Sequence, residues 1–114
     1  MTYERRIIIM VFTLNAGMYD FLVLSILRQQ EAYGYQISQT IKKVSNMKDS
    51  ALYPVLHRLL EKELVTAYDQ QFQGRNRKYY KITAKGLAQW ELLKEEWELY
   101  TEEIEKIVNG GNES

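Results

Sequence analysis

The fold is decided by residues 50–86, SALYPVLHRLLEKELVTAYDQQFQGRNRKYYKITAKG, where a helical pattern gives way to a strand pattern. The leucines between positions 52 and 60 recur at the spacing of one helix face, which predicts a helix over about residues 50–63. β-Branched and aromatic residues follow in LVTAYDQQ and RKYYKIT, and FQGRN between them supplies glycine and asparagine for a turn. This stretch therefore predicts one helix followed by a β-hairpin.

Two features indicate where this helix starts. Asp49 or Ser50 is a natural N-cap, because a short oxygen-bearing side chain can accept a hydrogen bond from the free amides of the first turn. Pro54, the single proline of the chain, then lies at the edge of the first turn, where little or no helical hydrogen bond is lost. We therefore expect the helix to begin close to Ser50.

Two shorter helices are predicted before this one. Residues 18–30 are apolar nearly all round, as in a helix that is buried on several sides. Residues 34–44 place Ile37, Ile41 and Val44 on one face and polar side chains on the other, which indicates an amphipathic helix with these three residues in the core.

The chain is predicted to end in a long helix over residues 84–108, capped by Thr83 and stopped by the sequence NGGNES. A set of large apolar residues, which we call the seam, recurs along it at heptad spacing, as in helices that pair with a second copy. The seam consists of Trp90, Leu93, Trp97, Tyr100, Ile104 and Ile107. The alternative is that this stripe packs on its own domain. A chain of 114 residues has too small a domain to cover the whole stripe, so we expect a second copy to cover it in a homodimer.

The zero net charge of the 114-residue chain conceals a division. Residues 33–86 carry ten basic and four acidic side chains, whereas residues 87–114 carry two basic and eight acidic ones. Residues 1–32 are balanced, with three of each sign. Such asymmetry indicates a basic working surface in the middle of the chain. The acidic end is interpreted as a solvated face.

The composition favours a cytoplasmic protein. There is no cysteine, so neither a disulfide framework nor thiolate chemistry is available. The longest apolar run, residues 7–12, is far shorter than the ~20 residues that span a bilayer. No cleavage site of a secretory signal follows it. We expect no membrane partner.

An enzymatic function is not supported by the residue types present. His57 is the only histidine, so a multi-histidine metal site is excluded, and we expect no metal and no cofactor. Neighbouring acids such as Glu95 and Glu96 diverge on a helix and cannot act as a catalytic pair. Two classes of binding protein remain. The basic residues 33–86 favour a protein that binds DNA, whereas a module that binds only proteins would favour an apolar or acidic surface in their place.

Three helices, a basic hairpin and a long helix, in this order, indicate a mainly α (α+β) fold of the winged helix-turn-helix type. The third helix is the candidate for the major groove, since leucines anchor one face while the other is polar, aromatic and small. The hairpin is the candidate wing. Gly74 allows a tight turn, and the basic residues around it, Arg75, Arg77 and Lys78, can reach phosphates or a narrow minor groove.

The strings YGYQISQTI, SALYPVLHRLLEKELV and GRNRKYYKITAKG, followed by an acidic amphipathic helix, strongly resemble the PadR family of bacterial transcriptional regulators. The resemblance covers residues 19–108. It implies a cytoplasmic homodimeric repressor with an N-terminal winged helix-turn-helix and a single C-terminal dimerisation helix. One departure is Leu64, where the family often has glycine, so that Glu63 needs another turn geometry.

The division of the chain that follows is an N-terminal segment over residues 1–17, a DNA-binding domain over 18–83, a dimerisation helix over 84–108 and a disordered tail over 109–114. The family pattern begins after the first residues, and Glu-Arg-Arg can be encoded by a purine-rich ribosome-binding sequence. We therefore expect Met10 to be the natural start and residues 1–9 to be translated leader. The alternative is an arm that packs on the partner subunit.

The expected operator contacts lie on the second helix, the third helix and the wing. Tyr33 and Tyr35 are alternatives for a phosphate contact: one is expected to pack between helices and the other to face DNA. Tyr35 is included among the predicted DNA-binding residues. The predicted DNA-binding residues are Tyr35, Gln36, Lys48, Ser50, Ala51, Tyr53, Pro54, His57, Arg58, Arg75, Arg77 and Lys78.

Trp97 is the candidate receptor for an inducer. It lies eleven residues beyond Gly86, at a position that matches the tryptophan lining the inter-subunit pore of multidrug-binding relatives. That resemblance implies a small aromatic or cationic effector, held by stacking and cation–π attraction, with Glu96 and Glu98 adding negative charge near the mouth. The alternative is that Trp97 only fills the seam.

Overall fold

The computed structural model describes residues 12–110. Within this range the fold is mainly helical with one small antiparallel sheet, and the predicted winged-helix fold is confirmed. The elements are α1 (Ala16–Gln29), β1 (Ala32–Tyr33), α2 (Gly34–Ile41), α3 (Asp49–Glu61), β2 (Val65–Phe72), β3 (Arg75–Ile82) and α4 (Ala84–Val108). The predictions about Met10 and a leader fall outside the described residues.

The hairpin and α4 form as predicted, whereas α1 and α2 have different ends. α1 begins at Ala16 because Asn15 caps it, its side chain accepting a hydrogen bond from the Met18 amide at 2.9 Å. α2 ends at Ile41, and the chain then turns. Val44 is consequently 50 % exposed and does not join the core, so that part of the prediction is wrong.

The predicted N-cap of α3 is wrong. The cap is Lys48, and Asp49 is the first helical residue. The Asp49 carboxylate binds α2 instead, accepting from the Ser38 hydroxyl at 2.6 Å and pairing with the Lys42 ammonium at 2.7 Å. With this start Pro54 lies in the second turn of the helix. Because proline has no N–H, the Ser50 carbonyl receives no helical hydrogen bond from position 54.

The strand β1 is not predicted by the sequence, which indicates only helices over residues 18–30 and 34–44 in this region. Its two residues pair with the hairpin, Ala32 with Tyr80 and Tyr33 with Tyr79, and give the sheet the order β1-β3-β2. Two residues are too few for a period-two pattern to be detected. β3 is therefore the central strand.

The hairpin turns over two residues, Gln73 and Gly74, whose φ angles of 52° and 77° are both positive. Phe72 and Arg75 close the ladder directly beside them. Two positive φ values are typical of a type I′ turn, which matches the right-handed twist of the flanking strands. Gly74 adopts this conformation without strain, as the sequence predicted.

The core lies between the first three helices and the base of the sheet. Its fully buried side chains are Leu24, Ile37, Ile41, Leu52, Leu56, Leu59, Val23 and Val65. The leucine face predicted for α3 is the face that is buried here. Because the core fixes this face, it also fixes which side of α3 points outward.

α3 ends without the glycine that its geometry favours. Glu63 has a φ of 63°, its amide donates to Leu60 at 2.9 Å, and the Leu64 amide donates to Leu59 at 2.9 Å. This pair of bonds is the Schellman arrangement, which places one residue in the left-handed region. The turn therefore keeps the common Schellman geometry with Glu63 as its left-handed residue, at a cost of about 1 kcal/mol. The expectation that Glu63 needs another turn geometry is wrong.

The start of α4 is attached to the end of α3 through Thr83 and Gly86. The Thr83 amide donates to the Leu64 carbonyl at 3.0 Å, and its hydroxyl accepts from the Gly86 amide at 2.9 Å. A methyl group at Gly86 would lie 2.1 Å from the Leu64 oxygen and 2.8 Å from a side-chain carbon of Ile82. Glycine is therefore required at this contact.

We expect Gly86→Ala to lower the free energy of unfolding by about 3 kcal/mol, because backbone atoms of Leu64 must move to admit the methyl group. Gly17→Ala is the matched control, since a methyl group there meets only the Asn15 side chain at 3.4 Å. It should leave stability within about 1 kcal/mol of the parent value or raise it. Urea unfolding followed by circular dichroism measures both, and equal stabilities for the two variants would contradict the assignment.

Candidate nucleic-acid interface

The first turn of α2 lies between α3 and the hairpin. On one side, a methyl group at Gly34 would lie 3.5 Å from the Tyr53 hydroxyl oxygen, which is ordinary contact. On the other side, the guanidinium carbon of Arg77 lies 4.3 Å from the centroid of the Tyr33 ring. α3, the start of α2 and the hairpin therefore form one continuous surface, which we call the basic face.

The part of α3 that faces outward is small and polar. Ser50, Ala51, Pro54 and His57 are exposed, while the leucines on the opposite side are buried. The His57 ring nitrogen Nε2 lies 3.1 Å from a Glu61 carboxylate oxygen one turn later. Tyr53 is also exposed, with one edge against Gly34. Small side chains allow the helix backbone to approach a partner closely.

Arg58 lies away from this surface. Its guanidinium donates to the Asp20 carboxylate of α1, and both side chains are largely covered. An arginine in such a pair is not free to bind a phosphate. The contact joins α3 to α1, so we assign Arg58 a structural role and leave it out of the basic face, contrary to the sequence prediction.

Tyr35 rather than Tyr33 faces outward. Tyr35 is 59 % exposed in the first turn of α2. Tyr33 is half-buried and packs edge-on against Tyr79, with ring centroids 5.3 Å apart. Neither ring lies between helices, as one of them was expected to. The sheet, which the sequence did not reveal on this side, takes Tyr33 instead.

Gln36 and Lys48 lie at the two helix starts. The Gln36 side-chain oxygen accepts from the Tyr33 amide at 3.0 Å and so stabilises the first turn of α2. This leaves its amide nitrogen as a donor for a partner. Lys48 is exposed immediately before α3. Both belong to the basic face.

The wing residues differ in how they are held. Arg75 and Lys78 are exposed, whereas Arg77 is partly buried over the rings of Tyr33 and Phe72. Within residues 12–110 none of these three cations forms an ion pair. The hairpin therefore carries a net positive charge, with Asp69 as its one acidic residue, opposite Lys78 in the ladder.

Two acids near the basic face, Asp49 and Glu31, are engaged with their own neighbours. Hydrogen bonds from Lys42 and then Ser38 hold the pKa of Asp49 below its usual value. Glu31 accepts from the Tyr68 hydroxyl, and this bond raises the pKa of the phenol. Glu31 also lies 3.8 Å from the Lys81 ammonium. These pairs leave the wing cations as the dominant charges of the surface.

The predicted seam of α4 is divided in two. Trp90 and Leu93 pack on their own protomer, and the Trp90 ring nitrogen donates to the Ser25 hydroxyl at 2.9 Å. For these two residues the alternative of packing within the chain holds. The four later residues are uncovered: Trp97, Tyr100, Ile104 and Ile107 are 40, 50, 38 and 79 % exposed.

An open cavity of about 270 Å³ lies between the start of α1 and α4. Phe21 and Trp97 both line it and pack against each other in a tilted arrangement, with ring centroids 6.1 Å apart. Glu96 also lines it, whereas Glu98 does not and pairs with the Lys94 ammonium at 2.8 Å. The cavity is lined by Asn15, Gly17, Met18, Phe21, Leu93, Glu96, Trp97 and Tyr100.

Metal binding and membrane spanning are two further properties that the described part of the chain can be checked for by its side chains and helices. No cluster of histidine, cysteine and acidic residues within it has the three members needed to hold a metal ion. No helix there combines the length and apolar character of a membrane span.

Sequence reasoning missed the aromatic side of the wing. Phe72 was taken as part of the turn, and Tyr33 was not placed on the sheet. Both lie on the sheet face opposite the core, together with Arg77 and Tyr79. Strict alternation counted outward from the buried Tyr80 places Arg77 on this face, but the contact with Tyr33 needs β1, which has no sequence signal.

Comparison with known proteins agrees with this architecture. The sequence model of the PadR-like family of transcriptional regulators matches residues 23–92. A protein of Lysinibacillus sphaericus is 36 % identical over 99 residues, which cover 82 % of this chain and 91 % of the relative.

Solved structures have the same fold over most of the chain. One from Streptococcus mutans is 38 % identical, with a TM-score of 0.86, and the match covers 92 % of this chain and 99 % of the other. A PadR family transcription regulator from Clostridium difficile is 32 % identical with a TM-score of 0.73, covering 81 % and 99 %. A PadR-like transcriptional regulator from Bacillus cereus is 31 % identical with a TM-score of 0.76, covering 83 % and 95 %.

A winged helix with a wing of net positive charge is typical of a DNA-binding class of protein. Within that class the chain belongs to the PadR-like family of transcriptional regulators.

Proposed function

We propose that the protein is a bacterial repressor that binds a pseudo-palindromic operator as a homodimer. The observation that supports this most directly is the continuity of the basic face. Contacts at Tyr33 and Gly34 link the outer side of α3 to the wing cations. A helix able to enter the major groove and cations able to reach the flanking phosphates thus lie on one surface.

Each part of the basic face has a separate role in this proposal. α3 reads base edges in the major groove with Ser50, Ala51, Tyr53 and His57. The amides at the start of α2, with Tyr35 and Gln36 beside them, bind a phosphate because the helix dipole is positive there. The wing supplies affinity that does not depend on sequence, through its charge.

The exposed end of the seam supports the dimer. Ile104 and its seam neighbours form an apolar stripe that the described residues of one protomer leave open to solvent. A second copy related by a two-fold axis would cover both stripes at once. Two α3 helices about 34–36 Å apart would then enter successive major grooves.

Arg77→Ala and His57→Ala should weaken DNA binding in different ways. Loss of the wing charge should reduce binding to all duplexes by a similar factor and lower the slope of log K against log salt by about one. Loss of His57 should change the preference among sequences. Fluorescence anisotropy on duplexes selected from a random library, at several salt concentrations, measures both effects.

Lys106→Ala is the control for charge alone, since Lys106 lies near the end of α4 and pairs with Glu103 at 3.1 Å. It should leave the salt slope unchanged. A wing variant with the parental salt slope would refute the role of the wing. Failure of the unmodified protein to select any duplex would favour the winged helix that binds only proteins.

Ile104→Glu should convert the dimer to a monomer and abolish operator binding, because two buried carboxylates would face each other across the axis. Leu99→Glu is the matched control, since Leu99 is exposed on the side of α4 away from the seam. It should leave the dimer intact. Analytical ultracentrifugation distinguishes them, and a persistent Ile104→Glu dimer would refute the seam.

We further propose that the cavity beside Trp97 accepts a flat aromatic or cationic effector that releases the repressor from DNA. The indole of Trp97 and the ring of Phe21 offer stacking surfaces, and the Glu96 carboxylate supplies negative charge. In the proposed dimer two such cavities lie near the axis. The alternative remains that Trp97 only contributes to the dimer contact.

Glu96→Gln should weaken the binding of a planar cationic dye about tenfold, because it removes a carboxylate from the cavity wall. Glu98→Gln should have no effect, since Glu98 is paired with Lys94 outside the cavity. Trp97→Ala with the dimer retained should abolish binding. The anisotropy of the dye itself measures all three, and equal affinities for the parent and Trp97→Ala would leave Trp97 a packing residue.

A further inference from the structure

Arg77 occupies a particular place on the sheet. It lies on the central strand β3, which β1 flanks on one side and β2 on the other. Tyr33 pairs with Tyr79, two residues after Arg77, and Phe72 pairs with Arg75, two residues before it. Both rings are therefore diagonal neighbours of Arg77 on the same face, within reach of a long side chain from opposite sides.

The arginine makes use of both neighbours. Its guanidinium carbon lies 4.3 Å from the Tyr33 ring centroid and 4.2 Å from that of Phe72. Cations at these distances from a ring centroid are attracted by the negative face of the π system. The two rings thus hold one guanidinium from two strands, and we call this arrangement the aromatic clamp.

The chemistry of the clamp leaves the donors of Arg77 free. The five N–H groups of a guanidinium lie in its plane, whereas the π attraction acts on its face. Within residues 12–110 no acceptor binds these groups, and no carboxylate pairs with the charge. Arg58, in contrast, pairs with Asp20 and has its charge matched within the fold.

The clamp also fixes a side chain that would otherwise be mobile. Arginine loses rotamer entropy when it is ordered on a partner, and ordering before binding removes that cost from the association step. Arg75 and Lys78 on the same hairpin are exposed, and neither cation lies over an aromatic ring of residues 12–110. Arg77 is therefore the wing cation with a defined position relative to α2.

We propose that Tyr33 and Phe72 are positioning residues that hold Arg77 with its N–H donors directed outward, ready for a phosphate or a minor-groove acceptor of duplex DNA. This inference rests on the proposed function. It separates the wing cations into two kinds: Arg77 forms an ordered contact, and Arg75 and Lys78 contribute charge.

A double-mutant cycle tests the clamp. Phe72→Leu removes the π face but keeps an apolar strand residue, and it should weaken binding to a duplex selected by the unmodified protein by about two- to fivefold. Phe72→Tyr should retain parental affinity. In the Arg77→Ala background, Phe72→Leu should cause no further loss, because its effect passes through the arginine.

Tyr68→Leu is the matched control. Tyr68 is an exposed aromatic on the same strand and the same face, but it stacks on Tyr79 at 5.7 Å and does not contact Arg77. Its substitution should leave DNA affinity within about twofold of the parent. Tyr33→Leu provides a second probe of the clamp, with the same expected dependence on Arg77 as Phe72→Leu. Circular dichroism verifies that each variant is folded.

The outcomes distinguish the inference from the proposed function. An equal loss from Phe72→Leu in both backgrounds would mean that Phe72 touches DNA or stabilises the hairpin, and it would overturn the clamp alone. The same holds if Phe72→Leu has no effect in the parent while Arg77→Ala weakens binding. Absence of DNA binding by the unmodified protein would overturn the proposed function and the clamp together.

Discussion

The contact between Gly86 and the Leu64 carbonyl is the constraint on which the rest of the structure depends. At this point the end of α3, the base of the hairpin and the start of α4 meet, and a single methyl group would separate them. Thr83 adds the hydrogen bonds that orient α4. The direction of the long helix relative to α3 and the hairpin is thus set in part by a backbone contact that leaves no room for a side chain at Gly86.

A second junction, at the start of α2, performs the same task for the basic face. Tyr33 is the last residue of β1 and occupies the N-cap position of α2. Its ring also lies against the Arg77 guanidinium. Gly34, the next residue, lies beside the Tyr53 ring of α3. The wing and α3 are therefore oriented by two consecutive residues of one short segment. In both junctions a glycine lies in the first turn of a helix, close to the N-cap residue: Gly86 with Thr83 in α4, and Gly34 with Tyr33 in α2.

The sequence was sufficient for the parts of the fold that carry periodic signals: the leucine face of α3, the hairpin and the span of α4. It failed where a local preference was overridden by a contact distant in sequence. Asp49 is a good cap by propensity, yet Lys42 and Ser38 bind its carboxylate. Arg58 has the spacing of a DNA contact, yet it meets Asp20, which lies 38 residues earlier. Neither partner is visible in a local pattern, because each depends on how helices cross.

α1 lies between the two sites on which the proposed release by an effector depends. Asp20 holds Arg58 of α3, and the next residue, Phe21, packs against Trp97 beside the cavity. Movement of Phe21 would therefore act on α1 next to the ion pair that fixes α3. A coupling of this kind needs two arrangements of α1 with different affinities for the effector, since a ligand shifts only an equilibrium between states that it distinguishes. In the proposed mechanism, the ion pair between Asp20 and Arg58 and the cavity beside Phe21 are the two sites that a shift of α1 would link.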